Sequence, residues 1–402
     1  MGKYDFTSII ERRGNDAIAV DAVGDPTSWG PGGPEEGYDV IPMWIADMNF
    51  KTAPSIVESI QKRLEHPLFG YFRPRDEYFQ AIIDWQTKRN GVTGLKKEHI
   101  GYENGVLGGF LSALRVLVSK GEKILVHSPT YVGFTGSAAS GGFAFSHSPL
   151  VKDENGVYRM DFEDMEQRIV KEKIHTAVFC SPHNPAGRVW ERWEIEKAMA
   201  LFEKYQVYVI SDEIWSDLIM PGHKHIPTQS VSDYAREHTV ALYAPSKTFS
   251  LAGLIGSYHI IYNKWLNDRV CAEAATTHYN SLNVLSMYAL IGAYSPVGEE
   301  WLEELIPVLA NNLNVTKEFL EKFDGVKCTR VEGTYMLFVD CTDWCAAHGK
   351  TIDDVLHAAW RVGVAVQDGR GFHGPCHFRM NLALPLSRVE EALDRIKKYV
   401  FV

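Results

Sequence analysis

Five side chains and one glycine-rich turn have types and surroundings that could do chemistry together. Lys247 ends the apolar run VALYAPSK and is followed by TFSLAGLIGSY. A lysine held in a concave, partly buried place is a competent nucleophile toward an aldehyde, because burial disfavours its charged form. Asp212 closes VYVISDE. A carboxylate at the end of a buried strand is costly unless paired. Its partner is either a helix N-terminus that it caps or a protonated ring nitrogen. Asn184, in SPHNPAGRVW, suits an ordinary turn and equally an amide that donates to a ring oxygen. Gly105, Gly108 and Gly109, in YENGVLGGF, precede the apolar helical run FLSALRVLV. Such a start offers free backbone amides to a phosphate, or serves only close helix–sheet packing. Tyr131, in SPTYVGF, either stacks on a planar ring or belongs to the core. Arg379, in FRMNLALP, needs an anion: a substrate carboxylate or a structural ion pair.

The elements that must position these residues are short apolar strands alternating with helices. EKILVHSP (122–129), HTAVFCSP (175–182), VYVISDE (207–213) and VALYAPSK (240–247) are apolar along their length. That pattern suits parallel strands buried on both faces. The helix WEIEKAMALFEKY (193–205) between two of them completes a βαβ rhythm. The fold class expected is α/β, with a mostly parallel, doubly wound sheet. Ligands of such sheets sit beyond the carboxyl ends of the strands, where Tyr131, Asn184, Asp212 and Lys247 fall. Thr52 is placed to cap a helix with Pro54 in its first turn. After about residue 295 a long helix, EEWLEELIPVLANNLNVTKEFLEKF, precedes two strands in GVKCTRVEGTYMLFVDC. The expected division is a large domain over 46–294 and a smaller α+β domain built from 1–45 and 295–402.

Composition narrows the function. The 402 residues carry a formal net charge of −10 and 45% hydrophobic residues. That describes a globular chain with a large core and argues against nucleic-acid binding. No apolar run reaches the roughly 18 residues of a membrane span. The N-terminal MGKYDFTSIIERRGND lacks a signal-type apolar stretch, so no membrane partner and a cytoplasmic location are expected. Six scattered cysteines fit reduced thiols. Cys341 and Cys345, and His223 with His225, lack further ligands nearby in sequence, and no metal site is expected.

Taken in order, the glycine turn, the aromatic residue, Asn184, Asp212, Lys247 and the late Arg379 resemble fold-type I pyridoxal 5′-phosphate (PLP) enzymes of the aminotransferase class I/II superfamily. Asn184 and Asp212 are 28 residues apart, and Asp212 and Lys247 are 35 apart. Within that superfamily the chain is similar to the MalY/PatB family of cystathionine β-lyases. The matching stretches are DFTSIIERRG, VIPMWIADMNF, FGYFRP, SPHNPAGRVW, ISDEIWSD and APSKTFSLAGLIGSYHIIYN. The resemblance implies that Lys247 holds PLP as a Schiff base and later takes the substrate Cα proton. It implies a homodimer with shared active sites, in which Tyr71 reaches the phosphate bound by the other subunit. It places the substrate carboxylate beside Arg379, Asn184 and the backbone near Ile45 and Ala46. The reaction implied is α,β-elimination on cystathionine or a related cysteine S-conjugate, a small amino-acid substrate. An aminotransferase would use the same residues, and a regulatory role of the fold is a further alternative.

The chain departs from the superfamily pattern at four positions. Ala186 stands where many members carry Thr. Ala244 and Ile255 replace a Ser and an Arg that contact the phosphate. The phosphate must then rest on the amides of Val106 and Leu107, on Tyr71 and on Ser246. Trp215 replaces a Tyr or His, and Trp donates a hydrogen bond but does not accept one.

Overall fold

The computed structural model describes residues 2–402. They form two compact units. One contains the residues up to Lys51, Pro185–Gly187 and Glu304–Val402; the other contains Thr52–Asn184 and Arg188–Glu303. The divisions fall at 51/52 and 303/304, against 45/46 and 294/295 expected from the sequence.

The second unit is built on a seven-stranded sheet. Its spatial order is Ile100–Glu103, Ser257–Ile260, Thr239–Tyr243, Tyr208–Asp212, Thr176–Cys180, Lys123–Ser128 and Ala144–Pro149. The five strands from Thr239–Tyr243 to Ala144–Pro149 are parallel. Thr176–Cys180 and Thr239–Tyr243 are buried at every position, which is why they read as continuous apolar runs. The helix Val106–Leu117 packs on the strands Tyr208–Asp212, Thr239–Tyr243 and Ser257–Ile260. The helix Phe162–Glu172 packs on Lys123–Ser128 and Ala144–Pro149.

Local readings of the sequence shift in four places. Ser257–Ile260 pairs antiparallel with both neighbours. The connection from Lys247 holds no crossover helix, just the short 3-10 turn Ala252–Leu254, so the chain doubles back beside the strand it left. The strand expected to reach Lys247 stops at Tyr243, since Pro245 has no N–H to continue the ladder. Thr52 does not cap the next helix. Ala53 holds that position without a side-chain bond, and Thr52 Oγ1 donates to the Phe249 carbonyl at 2.7 Å. Finally, the helix after the glycine turn begins at Val106, so Gly108 and Gly109 lie inside it. A Cβ on Gly109 would stand 2.8 Å from Leu242 and 2.9 Å from Glu103, which explains a glycine where propensity disfavours one.

The first unit carries a five-stranded sheet ordered Ile41–Met43, Val364–Asp368, His377–Asn381, Met336–Asp340, Lys327–Cys328. The first pair is parallel and the rest are antiparallel. The helices Ile352–Arg361 and Leu386–Tyr399 cover it. The long helix runs Pro296–Leu320. Among the described residues no helix is long and apolar enough to cross a membrane.

Candidate active site

Five strands of the second unit deliver the candidate residues to one edge of its sheet. Gly105 follows Ile100–Glu103, Tyr131 follows Lys123–Ser128, and Asn184 follows Thr176–Cys180. Asp212 ends Tyr208–Asp212, and Lys247 follows Thr239–Tyr243. Two antiparallel pairings in succession leave Ile100–Glu103 running in the same direction as the other four. All five carboxyl ends therefore share one edge, the position where open α/β sheets bind ligands.

Asp212 is 4% exposed and accepts the Ile214 N–H at 3.1 Å. Burial raises its pKa to about 7, against the opposing pull of that bond and of the Lys247 charge. A carboxylate in this state is completed by a cationic partner, and a protonated ring nitrogen supplies one. Lys247 is half-buried, with Nζ 5.8 Å from the centre of the Trp215 ring. Trp215 itself is buried. Ser246 is half-buried beside Lys247 and its carbonyl accepts the Leu251 N–H at 3.0 Å.

Gly105 caps the helix Val106–Leu117 at φ +74°, a conformation that suits glycine. The first N–H groups of a helix have no intrahelical acceptor, so those of Val106 and Leu107 are available to an anion. Ile255 lies beside this turn. Its Cγ2 is 3.9 Å from the place a Cβ on Gly105 would take, and its carbonyl accepts the Tyr102 hydroxyl at 2.8 Å. Tyr131 occupies the cap of the helix Val132–Ser140, with its ring edge-on to Phe134 at 5.3 Å. The ring lies over Gly133, where a Cβ would meet it at 2.3 Å. Asn184 is buried, and Ala186 and Ala244 are buried as well.

Residues that sequence reasoning passed over hold this edge in place. In ISDEIWSD the three carboxylates have separate duties. Glu213 accepts Ser211 Oγ at 2.9 Å, the Thr228 N–H at 3.0 Å and the Tyr243 hydroxyl at 2.6 Å, and faces His225 Nε2 at 2.8 Å. Asp217 accepts Trp85 Nε1 and Thr248 Oγ1, both at 3.0 Å. Thr248 follows Lys247, so this bond fixes the backbone that carries the amine. His127 and His183 lie buried against Trp190, and burial lowers their pKa values to about 4 and about 3. The available signal was polarity inside apolar strings: three acids in eight residues, and a histidine before Asn184.

In the first unit, Arg379 lies buried in the strand His377–Asn381. Its guanidinium stands 4.3 Å over the Phe372 ring, and Nη2 donates to the Trp44 carbonyl at 3.3 Å and to Gln367. Asn381, also unread in the sequence, donates to the carbonyls of Ile45 at 2.8 Å and Asp47 at 2.7 Å, pinning the bend around Ala46. Tyr71, in the second unit, is fully exposed in an irregular segment with Leu68, Phe69 and Phe72.

The model of the family described as aminotransferase class I and II matches residues 38–396. Cystathionine beta-lyase PatB of Bacillus subtilis is 32% identical over 363 residues, covering 89% of this chain and 92% of its own. The crystal structure of cystalysin from Treponema denticola, which contains PLP, has a TM-score of 0.89 at 29% identity, covering 98% of each chain. The PLP-bound C–S lyase of Staphylococcus hominis has a TM-score of 0.88 at 28% identity, covering 100% of this chain and 99% of that one. Aminotransferases also stand among the relatives. The fold is thus that of fold-type I PLP enzymes, as the order of motifs implied. The chain belongs to the aminotransferase class I and II family.

Proposed function

We propose that this chain is a PLP-dependent carbon–sulfur β-lyase. It eliminates a thiol from cystathionine or a related cysteine S-conjugate and leaves pyruvate and ammonia. The observation that carries the reading is Asp212, a buried carboxylate lacking a full counter-charge, on the same sheet edge as Lys247 and the helix start at Val106. Similarity to named C–S lyases over nearly the whole chain supports the choice of reaction.

When bound, PLP accepts the electrons released at the substrate Cα. Lys247 Nζ would carry the cofactor between turnovers and take the Cα proton as general base. The Asp212 carboxylate would hold the proton on the ring nitrogen. The Asn184 side chain would donate to the ring oxygen, and Tyr131 would serve the ring face. The Val106 and Leu107 amides and the Ser246 hydroxyl would bind the phosphate. Arg379 would bind the substrate carboxylate as a bidentate partner, and Asn184 and the backbone at Ala46 are its further proposed ligands. The exposed apolar segment around Tyr71 is the surface a second copy would cover, and Tyr71 would complete that copy's phosphate site. The homodimer and a cytoplasmic location belong to this proposal.

The test is incubation of the purified, PLP-loaded protein with cystathionine. Pyruvate release, lost in Lys247→Ala, is the expected result. Transfer of the amino group to a keto acid without pyruvate release overturns the lyase assignment in favour of an aminotransferase.

A further inference from the structure

A cavity of about 540 Å³ lies wholly within the second unit, and none of the residues assigned to the cofactor lines it. Its walls are the turn after the helix Asp76–Asn90, the segment 224–233, Arg236 of the helix Asp233–His238, and the strand residues Tyr243 and Ile260. Three cations line it, Arg192, Lys224 and Arg236, against one acid, Asp233. Arg192 has an acid of its own, Glu196, at 3.5 Å. Among the described residues neither Lys224 nor Arg236 is paired with a carboxylate. Arg236 stands 3.7 Å over the centre of the Tyr262 ring. A guanidinium stacked in this way keeps its fork of N–H donors open to an anion.

A buried polar atom in the same wall points to a ligand independently of these charges. His225 is 3% exposed and lines the cavity. Its Nε2 is taken by Glu213 Oε2 at 2.8 Å, while its Nδ1 is buried without a hydrogen-bond partner. Such an atom is costly until something completes it. The ring is held in place meanwhile. The Tyr243 hydroxyl donates to the same Glu213 oxygen at 2.6 Å, so two lining residues share one buried anchor.

We propose that this cavity binds a small phosphate monoester. One such group carries nearly two negative charges at neutral pH and three acceptor oxygens. It answers Lys224 and Arg236 together, with Arg236 as a bidentate donor and His225 Nδ1 as a further partner. A lone carboxylate brings one charge and two oxygens to the same set. The volume falls in the ~300–1,000 Å³ range of small-molecule sites, far more than a phosphate group fills. Ile226, Pro227, Val231 and Ile260 also line the cavity, and the organic part of the ester rests on them. Asp233 accepts a hydroxyl of that part.

The experiment is isothermal titration calorimetry of the PLP-loaded protein at two temperatures and matched ionic strength. The probes are glycerol 3-phosphate, inorganic phosphate and succinate. Glycerol 3-phosphate is expected to bind one site per chain, about fivefold or more tighter than either of the others. Arg236→Gln should weaken it about tenfold, and Lys224→Gln about threefold. Both variants should keep the PLP absorbance of the wild type, which reports an intact fold and cofactor site. Equal affinity for inorganic phosphate overturns the ester, and equal affinity for succinate overturns the choice of phosphate. No saturable heat at either temperature, binding unchanged by both substitutions, or release of PLP during the titration overturns the site.

Discussion

Asp212 and Glu213 adjoin in sequence and both are buried, yet the structure treats their charges in opposite ways. Glu213 is surrounded by donors: two contacts on each carboxylate oxygen, from Ser211, Thr228, Tyr243 and His225. Burial works against its charge, but these bonds prevail and its pKa falls below the usual carboxylate range. Asp212 has the Ile214 amide and a more distant Lys247 charge, so burial prevails and its pKa rises. Successive residues at a strand end point to opposite sides of the sheet. One side is finished by the protein itself. On the proposed function, the other is finished by the cofactor. The contrast separates a carboxylate that stabilises the fold from one that costs stability until a cation arrives.

The largest effect expected is at the amine facing Asp212. Lys247→Ala removes both tether and base, and pyruvate release from cystathionine should fall by about 10³-fold or more. An absorbance band near ~420 nm, due to the imine at a Schiff-base lysine, should vanish with it. Retained activity would mean that the open side of the sheet edge is not the reacting side.

Asp212→Asn tests the contrast in the cofactor-free protein. The folded pKa of about 7 lies above the ordinary 3.8. The folded state therefore binds more protons than the unfolded state between these values, and stability falls as pH rises through about 7. The contribution is intact below pH 4 and absent above pH 8. At 1.36 kcal/mol per unit, apo Asp212→Asn should exceed the apo wild type by up to about 4 kcal/mol at pH 8, and by little at pH 4. Urea unfolding at the two pH values measures this. With PLP and substrate the sign reverses, since an amide does not keep the ring nitrogen protonated and turnover should drop sharply. Glu213→Gln should do the converse. It puts an amide N–H among donors and leaves buried hydrogen-bond partners of Glu213 unsatisfied, costing about 3 kcal/mol of stability. The ~420 nm band of the loaded protein should remain, because the Schiff-base lysine is untouched.

The same contrast explains what could be read from the sequence. Asp212, Asn184 and Lys247 were visible because each is a polar residue at the end of an apolar string, and strand direction then carries them to one edge. Glu213 and Asp217 sit in the same string, but their duties depend on partners far along the chain: His225, Tyr243, Trp85 and Thr248. No local pattern links Asn381 to the carbonyls of Ile45 and Asp47, which are more than three hundred residues away. The parallel strands were legible from unbroken apolarity. The antiparallel return of Ser257–Ile260 was not, because strand direction is set by the length and content of a connection rather than by the strand's own residues.

Ile255 offers the smallest and most local test. It is a β-branched residue at φ +51°, a backbone region that such side chains rarely occupy. Tyr102 holds its carbonyl, and its side chain, 55% exposed, hangs beside Gly105 at the start of the helix Val106–Leu117. If the amides of Val106 and Leu107 receive the phosphate, a longer cationic side chain at this position should reach the same anion. Ile255→Arg should then tighten PLP binding about fivefold, a gain of roughly 1 kcal/mol, as suits a partly solvated charge-assisted bond. The gain should shrink at high salt, since solvent-exposed charges are screened. Titration of the apo protein with PLP at two salt concentrations measures both effects. An unchanged Kd would place the phosphate away from this helix start. Asp212 would then have to meet its cation in an orientation other than the one argued from the shared sheet edge.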